Sequence, residues 1–381
     1  MATEFVESSI CDQSNFLHHS SDFQTRLKVE TVMQENPYIQ KIASAPRDFL
    51  FLMIGAHGIA QAIAVASRLG IPDLLSSGPK TTTWLAEKVK CNQDYLERLL
   101  FCLSDLGFFT SKSDKTIALN EVSEFLTSDH PQSLAIPASI RSYEYDWKPW
   151  GELYNAVKNG SICFERVFNT DFYSYLSHNV EADQLFNQVM GNRNKLVIFD
   201  RIVTLLNLNN INSIVDVGGG KGDLIVKILK KNEHLQGIIF DQSHLGSQAR
   251  KIISEQELEN RCKWVGGDFF QDIPNGDALI LSEIIHGWND EKALSILRNC
   301  RKSLSNKNRL ILIERVLKSE NDSYQIEDKS KNLLNLTMAV FTGGKERTEE
   351  ELQKMLREAD FILESIKTID RWSGLKLIQA V

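Results

Sequence analysis

Apolar positions recur along this chain in two rhythms that alternate from about residue 211 onward. Short unbroken apolar runs suit buried strands, and repeats every three to four positions suit one face of a helix. The runs Ile214–Val217, Gly237–Phe240, Cys262–Gly266, Ala278–Ile285 and Arg309–Ile313 read as strands one to five. Helical repeats fill the gaps, as at Leu224, Ile225, Ile228 and Leu229, and again at Ala293, Ile296, Leu297, Cys300 and Leu304 within Glu291–Leu304. Thr348-Glu-Glu-Glu351 has the form of a capping box and predicts a helix to about Ala359. Ile362–Ile369 and Gly374–Ala380 read as closing strands. Such alternation implies an α/β fold with a doubly wound parallel sheet, its ligand crevice at the carboxyl ends of the strands.

The first half of the chain reads differently. Residues 1–35 are polar and mixed, which suits a variable extension. Pro46 to about Leu69 is one strongly apolar helical pattern, and a helix this apolar is expected to be buried. Two shorter helices follow, Thr82–Val89 and Asn92–Leu106, the second with Asn92 as N-cap. Gly107–Leu119 reads as a hairpin with a polar tip. Helices followed by a β-wing outline a winged-helix domain over residues 36–130. Its presumed recognition helix carries Asp94, Glu97 and Asp105 against a single Arg98, which suits dimerisation and not phosphate binding. Residues 131–205 form an aromatic-rich helical linker, placed to add to a substrate pocket beside a sheet domain over 206–381.

Composition narrows the function. The chain has 381 residues, a formal charge of −7, 42% hydrophobic and 24% charged residues, within the range of globular proteins. With no long basic run, nucleic acid and anionic membrane are not expected partners. The longest apolar stretch, Phe49–Ala66, is interrupted by Gly55, His57, Gly58 and Gln61, against a membrane span. Six cysteines lie scattered without a C-x-x-C pair, so neither a disulfide framework nor a metal site is expected, and a cytoplasmic location fits.

Candidate chemistry centres on Val215-Asp-Val-Gly-Gly-Gly-Lys-Gly222, a strand, a glycine turn and a helix start. Asp223 stands where a dinucleotide fingerprint needs its third glycine, and Gly222 follows Lys221 where a P-loop needs Ser or Thr. The turn resembles the nucleoside-binding turn of S-adenosyl-L-methionine methyltransferases, an acidic residue followed by G-x-G-x-G. Asp216, Gly218 and Gly220 would then face the ligand. Asp241, closing strand two about 20 residues beyond, falls where a carboxylate grips ribose hydroxyls. Asp268 and Phe269 in Gly266-Gly-Asp-Phe-Phe270 could hold an adenine by its edge and its face. His286 follows strand four, Glu314 ends strand five, and Glu346 lies in Gly343-Gly-Lys-Glu-Arg-Thr348: one imidazole and two carboxylates, the makings of a general base.

Taken together, these motifs resemble the caffeate/flavonoid/hydroxyindole-type small-molecule O-methyltransferases over roughly residues 40–381. The resemblance implies a Rossmann-like S-adenosyl-L-methionine domain, an N-terminal winged-helix dimerisation domain, and a homodimer whose partner helps line the pocket. It implies His286 as base with Glu314 and Glu346 flanking it, and Glu314 fixing the imidazole tautomer. Gly218, Asp241, Asp268 and Phe269 would hold the cofactor, with Trp288 near its adenine. Met190 matches a substrate-clamping methionine, and Trp147, Met338 and Phe341 would shape the pocket. The chain also departs from plant members. Ser282 replaces a cofactor-contacting Lys, Gly287 replaces the Asp after the catalytic His, and Phe341 replaces a polar pocket residue. The motif wording is closer to bacterial natural-product enzymes, so the expected acceptor is a hydroxylated aromatic or polyketide-like molecule. The alternative expectation keeps the fold and cofactor but replaces methyl transfer by a pericyclic or decarboxylative step.

Overall fold

The computed structural model describes residues 45–190, 193–304, 308–318, 328–371 and 373–381. The extension expected over residues 1–35 lies outside the described residues. The described chain divides into two units, one up to Ala66 together with Leu74–Ser123, the other Ser67–Asp73 together with Glu124–Val381.

In the first unit the single helix expected from Pro46 to Leu69 is two helices, α1 (Pro46–Ile54) and α2 (Ala56–Arg68), bent by 55° at Gly55. Glycine is among the weakest helix formers, so the chain gives way there. The expected burial is not found either. No residue of α1 is buried, and Leu50, Phe51 and Ile54 are 59%, 79% and 69% exposed. Only Ala64 and Ala66 of α2 are buried. A run of exposed apolar side chains of this kind marks a surface made for covering. No single described helix is long and apolar enough to cross a membrane, although α1 and α2 together reach that length and hydropathy across their bend.

Helices α3 (Thr82–Val89) and α4 (Gln93–Asp105) start as the sequence indicates. Thr81 Oγ1 accepts from Trp84 N at 3.2 Å, and Asn92 Oδ1 accepts from Tyr95 N at 3.1 Å. Strands β1 (Lys80–Thr81), β2 (Thr110–Ser111) and β3 (Thr116–Ala118) form an antiparallel sheet in the order β1-β3-β2. Leu85, Leu96, Leu100, Leu103 and Ile117 are buried in this unit.

The second unit opens with short helices, including α5 (Cys163–Phe168), α6 (Phe172–His178), α7 (Val180–Met190) and α8 (Arg193–Leu205). The sheet follows: β4 (Ser213–Val217), β5 (Gln236–Asp241), β6 (Cys262–Gly266), β7 (Ala278–Ser282), β8 (Arg309–Leu317), β9 (Arg347–Thr348), β10 (Leu363–Asp370) and β11 (Leu375–Ala380). Between strands lie α9 (Asp223–Lys231), α10 (Gly246–Glu255), α11 (Asp290–Ser303), α12 (Asp328–Phe341) and α13 (Glu349–Glu358). The strand order is β10-β11-β8-β7-β4-β5-β6, with β9 paired to β8.

Strands β4 to β8 pair in parallel, as expected, but β10 and β11 enter antiparallel. The few residues between them allow only a hairpin, because a parallel return needs a crossover. Strand alternation then divides the core between two faces. Ile214, Ile280, Ile311 and Ile313 pack with α8, α9 and α10 on one face, and Val215, Val217, Leu279, Leu281, Leu310 and Leu312 with α11 and α13 on the other.

Strand β7 ends at Ser282, short of the expected Ile285. Glu283 turns the chain with φ +54°, and Ile285–Gly287 forms a single tight turn. The expected stop of strand five at Ile313 is passed, because β11 and β9 extend the pairing of β8 to Leu317.

Candidate active site

The glycine turn between β4 and α9 holds Gly218 at φ +72° and Gly222 at φ +93°, conformations that favour glycine. A Cβ on Gly218 would meet the Ile284 side chain, and one on Gly222 would meet Ile239. The turn is tied across to β5, where Asp241 Oδ2 accepts from Gly220 N at 2.8 Å and Oδ1 accepts from Gln242 N at 2.7 Å. Asp216 is 2% exposed, and its Oδ2 has no partner among the described residues. Burial first, and the Asp241 charge second, raise its pKa from 3.8 to about 7. Burial also raises that of Asp241.

These groups edge a cavity of about 230 Å³ at the carboxyl ends of the strands. The structure brings Asp216, Gly218, Gly220, Asp241, Phe269, Ser282, Trp288 and Met190 to its wall. Asp268 is not on the wall; it is exposed, and its Oδ1 accepts from Phe270 N at 2.9 Å. Trp288 stands in an aromatic wall, stacked on Tyr173 at 5.1 Å and 29°, with Phe270 and Phe269 edge-on at 4.8 and 5.9 Å.

The cavity also takes residues that sequence reasoning missed: Tyr173, Asp183, Phe186, Asn187, Lys221, Asp223, His244 and Glu283. Asp183 accepts from Asn187 Nδ2 at 2.9 Å and lies 3.6 Å from His244 Nε2. One signal was available. Asp183 and Asn187 are four apart and share a helix face with Met190, which the sequence did single out. Tyr173 gave no such signal, being one aromatic among many in its segment.

His286 sits in the tight turn after β7, its side chain 13% exposed. Its Nδ1 lies 2.8 Å from Glu346 Oε1. Glu314 was expected to orient the ring, and the geometry corrects this: Glu314 Oε1 instead accepts from Ile284 N at 3.0 Å and Ile285 N at 2.9 Å. The reason lies in the backbone. Where the chain leaves the ladder at Glu283, the next N–H groups need acceptors, and the neighbouring strand supplies a carboxylate.

One donor atom from each of His286, Glu314 and Glu346 falls within 4.8 Å of the others. The second oxygens of both carboxylates are buried without partners among the described residues. Burial raises the Glu314 pKa to about 7, against the His286 charge. For His286, burial disfavours the charged ring, but the Glu346 hydrogen bond and the Glu314 charge outweigh it, so its pKa lies above the ordinary value. An imidazole so held can accept a proton at Nε2 and keep it.

The remaining substrate candidates lie elsewhere. Trp147 is 45% exposed, Met338 is partly buried on α12, and Phe341 is buried among Phe164, Phe172 and Trp150 at ring distances of 6.1, 5.6 and 6.4 Å. Neither these three nor His286, Glu314 and Glu346 line this cavity, although Glu283, Ile284 and Trp288 beside His286 do.

A doubly wound sheet with a glycine turn facing carboxylates at its carboxyl edge, and a buried imidazole bonded to one acid, have the form of a ligand-binding α/β enzyme site. Residues 150–362 match the O-methyltransferase domain, and residues 52–129 match the O-methyltransferase dimerisation domain. A phenazine O-methyltransferase of the bacterium Lysobacter antibioticus is 32% identical over 332 residues, 87% of this chain and 95% of that protein. The solved mitomycin 7-O-methyltransferase superposes with a TM-score of 0.82 at 26% identity, covering 90% of this chain and 99% of that one. An O-methyltransferase of neocarzinostatin biosynthesis, solved with S-adenosyl-L-homocysteine and 1,4-dihydroxy-2-naphthoic acid, gives 0.76 at 25% identity, covering 84% and 95%. The chain belongs to the O-methyltransferase family and is a methyltransferase that uses S-adenosyl-L-methionine.

The residues present fit that cofactor. A sulfonium and an ammonium suit a cavity edged by Asp183, Asp223 and Asp241, with the partly protonated Asp216 and the Arg315-paired Glu283 also on its wall, against Lys221 alone among the lysines and arginines of the wall.

Proposed function

We propose that the chain methylates a hydroxyl of an aromatic or polyketide-like small molecule, with His286 as the general base, in a homodimer built on a winged-helix N-terminal domain. The carrying observation is the His286 Nδ1 to Glu346 Oε1 contact of 2.8 Å in a buried turn, which leaves Nε2 without a partner among the described residues. The phenazine for which one relative is named and the dihydroxynaphthoic acid bound in another are hydroxylated or fused aromatic systems and support the same acceptor class.

Asp241 and the backbone of Gly218 and Gly220 would hold the adenosyl group, with Phe269 and Trp288 against the base. Bound S-adenosyl-L-methionine supplies an electrophilic methyl group. This chain's own contribution is to hold the acceptor, exclude water and take its proton. Glu346 fixes the ring orientation and stabilises the imidazolium that forms. Glu314 holds the backbone of residues 284 and 285 and lends negative charge as the ring becomes positive. A phenol near pKa 10 is a demanding acid for an imidazole, and transfer concerted with attack on the methyl group makes it workable.

The test is His286→Ala assayed for S-adenosylhomocysteine formation with a panel of hydroxylated arenes. Cofactor affinity should persist while turnover falls by about 10²–10⁴. Wild-type turnover in the variant would remove His286 from the chemistry. If the wild type binds S-adenosyl-L-methionine but releases no S-adenosylhomocysteine with any arene of the panel, the proposed acceptor class falls.

A further inference from the structure

Arg347 is 2% exposed, the largest fully buried side chain among the described residues, and the function above leaves it without a task. Its guanidinium does not face the cavity. Nη1 donates to Ile285 O at 3.0 Å and to Lys345 O at 3.3 Å, Nη2 donates to Trp288 O at 2.8 Å, and Nε donates to Asp290 Oδ1 at 3.0 Å. The first and third of these carbonyls bracket His286. The residue before Arg347 is Glu346, the partner of His286. The backbone of Arg347 is fixed in turn by parallel pairing with Val316, two residues beyond Glu314.

Gly344 completes the arrangement. A Cβ there would collide with His286 O and come within 2.6 Å of Gly287 C and 2.7 Å of Trp288 N. The turn 343–347 therefore lies directly on the backbone that carries the imidazole, and only glycine allows that approach.

From this geometry we infer that Arg347 is a positioning residue: its fork locks the turn bearing His286 to the turn bearing Glu346 and thereby sets the Nδ1–Glu346 hydrogen bond. A planar five-donor group can serve carbonyls on two segments at once, whereas a lysine ammonium serves them only as a single point. The inference rests on His286 being the base. It adds that the base works only while Arg347 holds its two supports in register.

The test uses Arg347→Lys in the full-length protein, with selectively labelled histidines followed by NMR through a pH titration without cofactor. Glu314, Glu346 and Glu283 all bear on the His286 pKa from their separate elements. Losing register with Glu346 removes the strongest of the three supports, so the His286 midpoint should move to lower pH, in the direction that Glu346→Gln also gives. The acid limb of kcat should follow it downward, kcat should fall at least tenfold, and cofactor affinity should fall by much less than kcat, because Nη2 also holds the carbonyl of Trp288 on the cavity wall. In the His286→Ala background the same substitution should change the residual rate less than twofold. An unmoved His286 midpoint, or an equal loss of rate in both backgrounds, overturns the inference. So does a loss of cofactor binding that matches the loss of rate, because that is a general structural effect. If Arg347→Lys does not fold, Asp290→Asn withdraws the carboxylate from Nε, and with it the contact of Lys345 Nζ at 3.3 Å, and should move the midpoint the same way by less, while Lys345→Met should leave it unmoved; no movement in Asp290→Asn, or an equal movement in Lys345→Met, also overturns it. Full activity of His286→Ala would overturn the base assignment itself, a separate result.

Discussion

Asp216 pairs a fully enclosed carboxylate with a strand end, and its protonation carries a measurable signature. Its folded pKa of about 7 lies above the ordinary 3.8. A raised folded value means stability that is fully present below about pH 4 and lost as the pH rises through 7. Asp216→Asn removes that loss. In urea titrations without cofactor, the difference in stability between variant and wild type should grow between pH 4 and 7 and then level, at no more than about 4 kcal/mol. A pH-independent difference would show that the carboxylate is not perturbed. Gly287 offers a second residue-scale check. A Cβ there would lie 2.7 Å from the Tyr173 hydroxyl, while the next ring atom is 3.7 Å away. Gly287→Ala should cost about 1–3 kcal/mol by overpacking, and Tyr173→Phe added to it should restore at least half. Strict additivity of the two changes would refute this contact. The same contact gives a physical reading of the glycine that follows His286: the space a larger side chain would need is taken by a tyrosine from α6.

Element by element, apolar runs located the strands well, because a buried strand must be apolar along its length. Strand β6 begins and ends where expected, and β4 and β5 differ by one residue at their ends. The errors share one cause. Strand β7 stops early because Glu283 adopts a left-handed turn, and β8 runs long because β9 and β11 pair with it. Both depend on partners distant in sequence. Local signals fared better, as at α13. Thr348 Oγ1 accepts from Glu351 N at 3.2 Å, and Glu351 Oε2 accepts from Thr348 N at 2.9 Å, closing the capping box the sequence spells out. Thr348→Ala should destabilise the protein by about 1 kcal/mol in urea unfolding. A change within a few tenths of a kcal/mol would mean the cap contributes nothing net.

For the whole molecule, the exposed helix α1 is the feature a single chain does not account for. Leu50, Phe51 and Ile54 stay largely uncovered at its surface, and the helix partly overlaps the matched dimerisation domain. A second copy of the chain is the covering partner that the proposed homodimer supplies. Leu50→Ser combined with Phe51→Ser should shift the protein toward monomer in sedimentation velocity. Unchanged association would place the interface elsewhere.

The sequence by itself located most of the sheet's strands, its glycine turn and the capped helices, and picked out His286, Glu314 and Glu346, whose donor atoms the fold gathers within 4.8 Å, since each depends on neighbours within a few residues or on a distinctive residue set. Tertiary structure alone decided which carboxylate holds His286, that Arg347 binds the two turns together, that β10 and β11 enter antiparallel, and that Tyr173 and Asp183 join the cavity. Those outcomes depend on where segments far apart in the chain come to rest. Periodicity along the chain says which side of an element is apolar, but not which atom of a distant element will meet it.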